Sequence, residues 1–113
     1  MSFVFGSNQR IKDSKTFEKA FRNKAITNKW FAIHLLDSGQ KIARLGMVVS
    51  KRTIPKSVNR NYAKRLIRES FRLNAYMFPS LDFVIRLRRK LSEENITEAR
   101  EALLQLMLSA KKL

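Results

Sequence analysis

The chain has 113 residues, 44% hydrophobic and 10% aromatic, and carries 24 Lys and Arg against nine Asp and Glu, a formal net charge of +15. That length fits one domain over residues 1–113 with a real core, and the apolar content excludes a disordered basic tail. The lack of cysteine excludes disulfides and thiolate chemistry, and nine carboxylates with a single histidine, His34, leave little material for acid–base or metal-dependent catalysis by the protein itself.

Charge of this size calls for an anionic partner. Lys and Arg bind nucleic-acid phosphate through counterion release, and an anionic membrane surface is the weaker alternative. The first fifteen residues are too polar for a secretory signal and no apolar run reaches membrane-spanning length, so the expected compartment is the cytoplasm.

Phe3, Phe5 and Ile11 stand among polar residues, which predicts an extended segment over residues 1–12. Asp13 or Ser14 caps a short helix through Asn23, with Phe17, Ala20 and Phe21 on one face and Lys15, Glu18, Lys19 and Arg22 on the other. A core stripe explains the i, i+4 phenylalanines from periodicity; a stacking platform for unpaired bases is the sharper reading. Trp30 to Leu36 reads as a strand, Asp37 to Gln40 as a turn, and Ile42 or Arg44 to Ser50 as a second strand, together an antiparallel hairpin. Alternation puts Trp30, Ala32, His34 and Leu36 on one face and Phe31, Ile33 and Leu35 on the other, so one apolar face must meet something besides the main core.

Thr53 to Lys56 is a loop around Pro55, after which Ser57 or Asn59 caps a long helix. Arg60, Lys64, Arg68 and Arg72 follow at i, i+4 spacing, Arg65 widens the ridge, and Asn61 falls within it. Val58, Tyr62, Ala63, Leu66, Ile67 and Phe71 form the opposing apolar side. Glu69 is the one acid, so this is not an ordinary mixed-sign solvated face. Pro79-Ser80 breaks the helical unit and Leu81 to Arg88 reads as a third strand, with Phe83, Ile85 and Leu87 on one side and Arg86 and Arg88 on the other; with Arg89 and Lys90 these arginines make a second basic cluster beyond the helix, in addition to the basic turn Lys51, Arg52 and Lys56. A last helix starts after Ser92 or Asn95, with an Asn95–Glu98 capping pair, and runs to about Ala110; Leu104 and Leu108 lie off its core stripe and cover a sheet edge. The order is α-β-β-α-β-α, an α+β domain with helices over one side of a small mixed sheet.

Ser50-Lys51-Arg52 followed by Asn59-Arg60-Asn61-Tyr62-Ala63-Lys64-Arg65-Leu66-Ile67-Arg68 closely resembles the signature of the bacterial ribonuclease P protein subunit family. Arg44-Leu45-Gly46, Phe17 with Phe21, and Asp82-Phe83-Val84-Ile85 with Arg88-Arg89 extend the resemblance over nearly the whole chain. The resemblance implies a fold like the second domain of ribosomal protein S5, a sandwich with a left-handed βαβ crossover. It implies a non-catalytic protein that binds the ribonuclease P catalytic RNA and precursor tRNA, assisting the RNA in removing the 5′ leader, with Mg²⁺ entering through the RNA subunit and no obligate protein partner. By the same likeness Arg60, Asn61, Lys64, Arg65 and Arg68 contact the catalytic RNA, and Phe17, Phe21, Ala32 and His34 line the cleft for the single-stranded leader; no metal ligands are assigned to the protein. Two positions depart from the family pattern: Tyr62 stands where the motif has a second arginine, and His34 where a tyrosine is common. The competing readings are a purely structural RNA-binding protein, a DNA-binding helix, and a protein-only nuclease.

Overall fold

The structure, a computed structural model, describes residues 9–110. The elements are α1 (Ser14–Arg22), β1 (Ala25–Thr27), β2 (Phe31–Leu36), β3 (Arg44–Val48), α2 (Ser57–Asn74) with a 3-10 turn at Ala75–Met77, β4 (Asp82–Leu87) and α3 (Ile96–Ser109). The extended run expected over residues 1–12 lies mostly outside the described residues; within them Arg10 bridges Leu45 in parallel, and the Ile11 N–H donates to the Leu45 carbonyl at 2.9 Å.

The four strands form one sheet in the order β1-β2-β4-β3. β4 pairs antiparallel with β2, from Phe31 opposite Leu87 to Leu36 opposite Asp82, and parallel with β3, from Arg44 opposite Asp82 to Val48 opposite Arg86. The expected hairpin between Trp30–Leu36 and the following strand therefore does not form, because β4 lies between them. β2 and β4 carry apolar residues on both faces, and such strands gain most from a central position where both faces are covered. β1, three residues flanked by polar side chains, is too short for alternation to reveal, and it closes the β2 edge with Ala25 opposite His34.

Alternation divides the core in two. Phe31, Ile33, Leu45, Phe83, Ile85 and Leu87 face α2 and α3, where Ala63, Leu66, Ile67, Phe71, Ala99, Leu103 and Met107 meet them. Phe71, Phe78 and Phe83 pack there with ring centroids 5.4–5.8 Å apart. On the other face Val84 packs with Ile11 and Ala20, and Phe17, Leu36 and Val48 close over them. The helices thus do not all cover one side: α1 takes the face that the apolar pattern of β2 left unassigned. Trp30 precedes β2 and joins the main core, against its expected place beside Ala32, because Asn28 Oδ1 accepts from the Trp30 and Phe31 N–H groups at 2.9 and 2.8 Å and turns the chain there.

Asp13 caps α1 as expected, accepting from the Thr16 N–H at 3.0 Å and from its hydroxyl at 2.7–2.8 Å. The other two caps differ from expectation. Lys56 holds the cap position of α2 without a side-chain bond, and the first turn is tied instead by Arg60, whose guanidinium donates to the Ile54 and Pro55 carbonyls at 3.1 and 2.6 Å. Asn95 stands at the cap of α3, but its side-chain oxygen accepts from the Ser92 N–H at 2.8 Å, so the pair with Glu98 is not made. Leu104 lines a hollow against α2 and Leu108 packs on the main core, so neither serves as a separate cover for a sheet edge. At the start of β3 and β4, Arg44 grips Asp82 with two bonds of 2.7 and 2.6 Å, and the fully buried carboxylate raises the Arg44 pKa through those bonds despite the opposing effect of burial.

Candidate nucleic-acid interface

α2 turns Ala63, Leu66, Ile67, Ser70 and Phe71 inward, which leaves Asn61 and Arg65 exposed and Lys64 and Arg68 half-buried along the opposing arc. Two residues assigned to its apolar side are in solvent: Val58 is 76% exposed and Tyr62 53%. Val58 lies in the first turn, and Tyr62 lies on the flank between two hollows rather than over the sheet. Arg72 is tied to Glu69 Oε2 by bonds of 3.0 and 2.7 Å, and that partner, with smaller contributions from Arg72, Arg65 and Arg68 charge, lowers the Glu69 pKa. The single acid of α2 thus offsets the last member of the ridge, and Lys64, Arg65 and Arg68 remain for an external anion. Arg60, spent on two carbonyls, fixes the loop before the helix.

The basic turn follows β3: Lys51, Arg52 and Lys56 are exposed, and the Ser50 hydroxyl accepts from the Thr53 N–H at 3.1 Å to close the turn. At the end of β4, Arg88 donates to the Asn28 carbonyl and Arg89 to the Lys29 carbonyl at 3.0 Å, so both pin the chain before β2, while Lys90 is exposed. An open concavity of about 530 Å³ gathers Arg52, Arg86 and Arg88 with Val48, Ser50 and Thr53. Arg86 is exposed, on the outward side that the alternation of β4 gives it beside buried Ile85 and Leu87, and it joins Arg88 there.

Of the four cleft residues, Phe17, Phe21 and His34 come together. The Phe17 ring fills the space over Gly46, where an added Cβ would stand 2.7–2.8 Å from its edge, so this ring is largely packing. Phe21, 44% exposed, lies 6.3 Å from Phe17 and meets His34 edge-on at 5.2 Å. His34 is buried beneath it, and its Nδ1 stands 3.1 Å from the Asn23 carbonyl; a carbonyl can only accept, so Nδ1 carries the proton. Ala32 is fully buried, opposite Arg86 in the ladder, and offers no free surface of its own.

Among the described residues no three His, Asp or Glu side chains come together, and no helix is long and apolar enough to cross a membrane. A cationic helix over one face of a mixed sheet, with an aromatic and basic surface on the other, is the build of a small α+β polyanion-binding protein.

A family model described as ribonuclease P matches residues 5–111. The ribonuclease P protein component of Chromobacterium violaceum is 32% identical over 103 residues, covering 90% of this chain and 85% of the relative. That of Caldanaerobacter subterraneus is 33% identical over 100 residues, covering 87% and 85%. The solved RNase P protein of Thermotoga maritima superposes with a TM-score of 0.77 at 34% identity, over 88% of this chain and 94% of that one. A Staphylococcus aureus RNase P protein mutant gives 0.75 at 25% identity, over 87% and 86%. The chain belongs to the bacterial ribonuclease P protein family, the protein component of that tRNA-processing endoribonuclease, and an RNA subunit is its partner.

Proposed function

We propose that the chain, working as one domain in the cytoplasm without an obligate protein partner, binds the catalytic RNA along α2 and the 5′ leader of precursor tRNA across the α1 face, while the RNA performs the hydrolysis. The placement of these two surfaces on one sheet, α2 on one face and α1 on the other, supports this reading, because a single rigid layer then holds two polyanions in register. Asn61, Lys64, Arg65 and Arg68 supply phosphate contacts that fix position without reading sequence, and Arg60 orients the loop that leads into them. Phe21, held edge-on by His34, gives a leader base a flat partner that tolerates any sequence, with Phe17 beside it and Ala32 contributing only buried packing beneath the cleft. Lys51, Arg52, Lys56, Arg88, Arg89 and Lys90 screen phosphate repulsion where leader and catalytic RNA converge. That screening lowers the demand for Mg²⁺, which the RNA subunit brings.

The test is reconstitution with a bacterial ribonuclease P RNA and measurement of precursor-tRNA cleavage at low Mg²⁺. Enhanced cleavage, with tighter binding of leader-bearing substrate than of mature tRNA, is expected. No enhancement refutes the assignment, and equal affinity for the two tRNAs refutes the leader surface and favours a purely structural RNA-binding role.

A further inference from the structure

Tyr62 stands over a second hollow that the RNA-gripping arc does not use. This hollow, about 430 Å³, lies between the first turns of α2 and the segment leading into α3. Its floor is apolar, made by Ile54, Leu91 and Ile96, and its rim carries the Asn59 amide and the Glu93 carboxylate. Among the described residues neither of those two side chains nor the Tyr62 hydroxyl has a hydrogen-bonding or ionic partner.

A flat aromatic wall, an apolar floor and a few polar groups at the rim form a site for a flat, uncharged, hydrogen-bonding ring. The surroundings say what carries that ring. Asn59 is flanked by Arg60, Leu91 is preceded by Lys90, and Lys56 stands one turn before Asn59, all on a chain of net charge +15. A polyanion is drawn to the rim, yet Glu93 repels phosphate from the hollow itself, so the backbone of a nucleic acid stays outside and a base enters. We infer that this hollow captures one unstacked nucleobase of the RNA bound along α2, stacked on Tyr62.

The polar groups select among bases. A carboxylate only accepts, so Glu93 favours a base edge that offers two adjacent donors, and an amide can both donate and accept. Guanine alone presents N1–H and N2–H₂ side by side on its Watson–Crick edge; adenine and cytosine offer one amino group there and uracil one ring N–H. The site is therefore assigned to guanine. Tyr62 is then a gain in place of a charge: it adds stacking where an arginine would have added a phosphate contact.

The inference rests on the proposed RNA grip, and its test is built so that the two fail separately. The wild-type protein is first bound to ribonuclease P RNA; absence of binding refutes the grip itself. The complex is then probed with a glyoxal reagent that modifies the guanine N1/N2 edge and with dimethyl sulfate for adenine and cytosine. One unpaired guanine is expected to be protected in the wild-type complex, exposed by Tyr62→Ala and by Glu93→Gln, and still protected by Tyr62→Phe. Tyr62→Ala should weaken RNA binding about tenfold, with no change in the salt slope because no charge is lost. Circular dichroism confirms the fold of each variant, which the exposure of Tyr62 favours. If no guanine changes its protection in the folded Tyr62→Ala complex, or if the affinity loss comes with a reduced salt slope, the nucleobase site is wrong.

Discussion

Removing Arg44 should harm this domain more than weakening the acid it grips. The pair is asymmetric: Asp82 has no access to solvent, while the Arg44 side chain keeps 15% of its surface open and reaches the Ser38 hydroxyl at 3.3 Å. Arg44→Met preserves most of the stem but strands a buried carboxylate. Such a group keeps the cost of its burial and loses its ionic partner and both hydrogen bonds, and breaking a buried pair from one side costs about 3–5 kcal/mol. Asp82→Asn keeps one acceptor for a guanidinium that can turn toward water, and should cost about 1–2 kcal/mol. The double variant Arg44→Met, Asp82→Leu removes both charges and should recover most of the loss.

For a domain of this size 1 kcal/mol corresponds to about 4 °C in Tm, so Arg44→Met should melt roughly 15 °C below wild type at neutral pH. Thermal and urea unfolding followed by circular dichroism measure the loss in each variant. A loss in Asp82→Asn equal to that in Arg44→Met, or no recovery in the double variant, would refute the account.

Gly46→Ala places a methyl 2.7–2.8 Å from the Phe17 ring edge, and should cost about 1–3 kcal/mol by urea titration, with partial rescue when Phe17→Leu is added. The Asp13 carboxyl is held below its ordinary pKa by the Thr16 hydroxyl and N–H, so its share of stability is present above the unfolded value and is lost as pH falls toward the folded one. Melting temperature should therefore drop between about pH 5 and about pH 3, and part of that drop should be missing in Asp13→Asn. Arg65→Ala should weaken RNA binding and reduce the salt slope by about one, measured by filter binding over a salt series; an unchanged slope removes Arg65 from the interface. Phe21→Ala should leave the fold intact and lower affinity for leader-bearing precursor more than for mature tRNA, an outcome that fluorescence titration separates from the equal losses of core damage.

What the residues declared by period alone came through: α1, the long helix α2, the apolar strands β2 and β4, and α3 with its stripe of Ala99, Leu103 and Leu106. The basic arc was legible because like charges at i, i+4 cannot be hidden in a core. Pairing was not legible, since alternation tells which face a strand residue takes but not which strand lies beside it; a turn-like Asp37-Ser38-Gly39 suggested a hairpin that β4 pre-empts. Asp13 caps α1 as its sequence suggests, but the side-chain bonds expected at the starts of α2 and α3 are not made, for a related reason. Ser57, Asn59 and Asn95 are all suitable residues, but Arg60 reaching back to two carbonyls and Asn95 turning to Ser92 depend on loop paths that local sequence does not encode. At the site, Phe17 and Phe21 look alike in sequence, and only the absence of a Cβ at Gly46 makes one of them packing and leaves the other in solvent.

The place of β4 bears on function as well as on topology. Parallel strands bring like ends together, so the C-terminal ends of β3 and β4 emerge side by side and set Arg52 next to Arg86 and Arg88. In a β2–β3 hairpin the end of β3 would have returned to the start of β2, with nothing to gather the second basic cluster beside the first. Parallel pairing also requires a long crossover, and α2 supplies it, so the helix that carries the cationic arc is fixed at both ends by the strands it joins. Burial of Ala63, Leu66, Ile67 and Phe71 against that sheet holds the arc rigid against its own repulsion, which in an isolated helix would cost a few tenths of a kcal/mol for each neighbouring pair of like charges. A polyanion meeting this domain therefore finds the helix backbone that carries its cations already in place, and only the side chains remain to be ordered on binding.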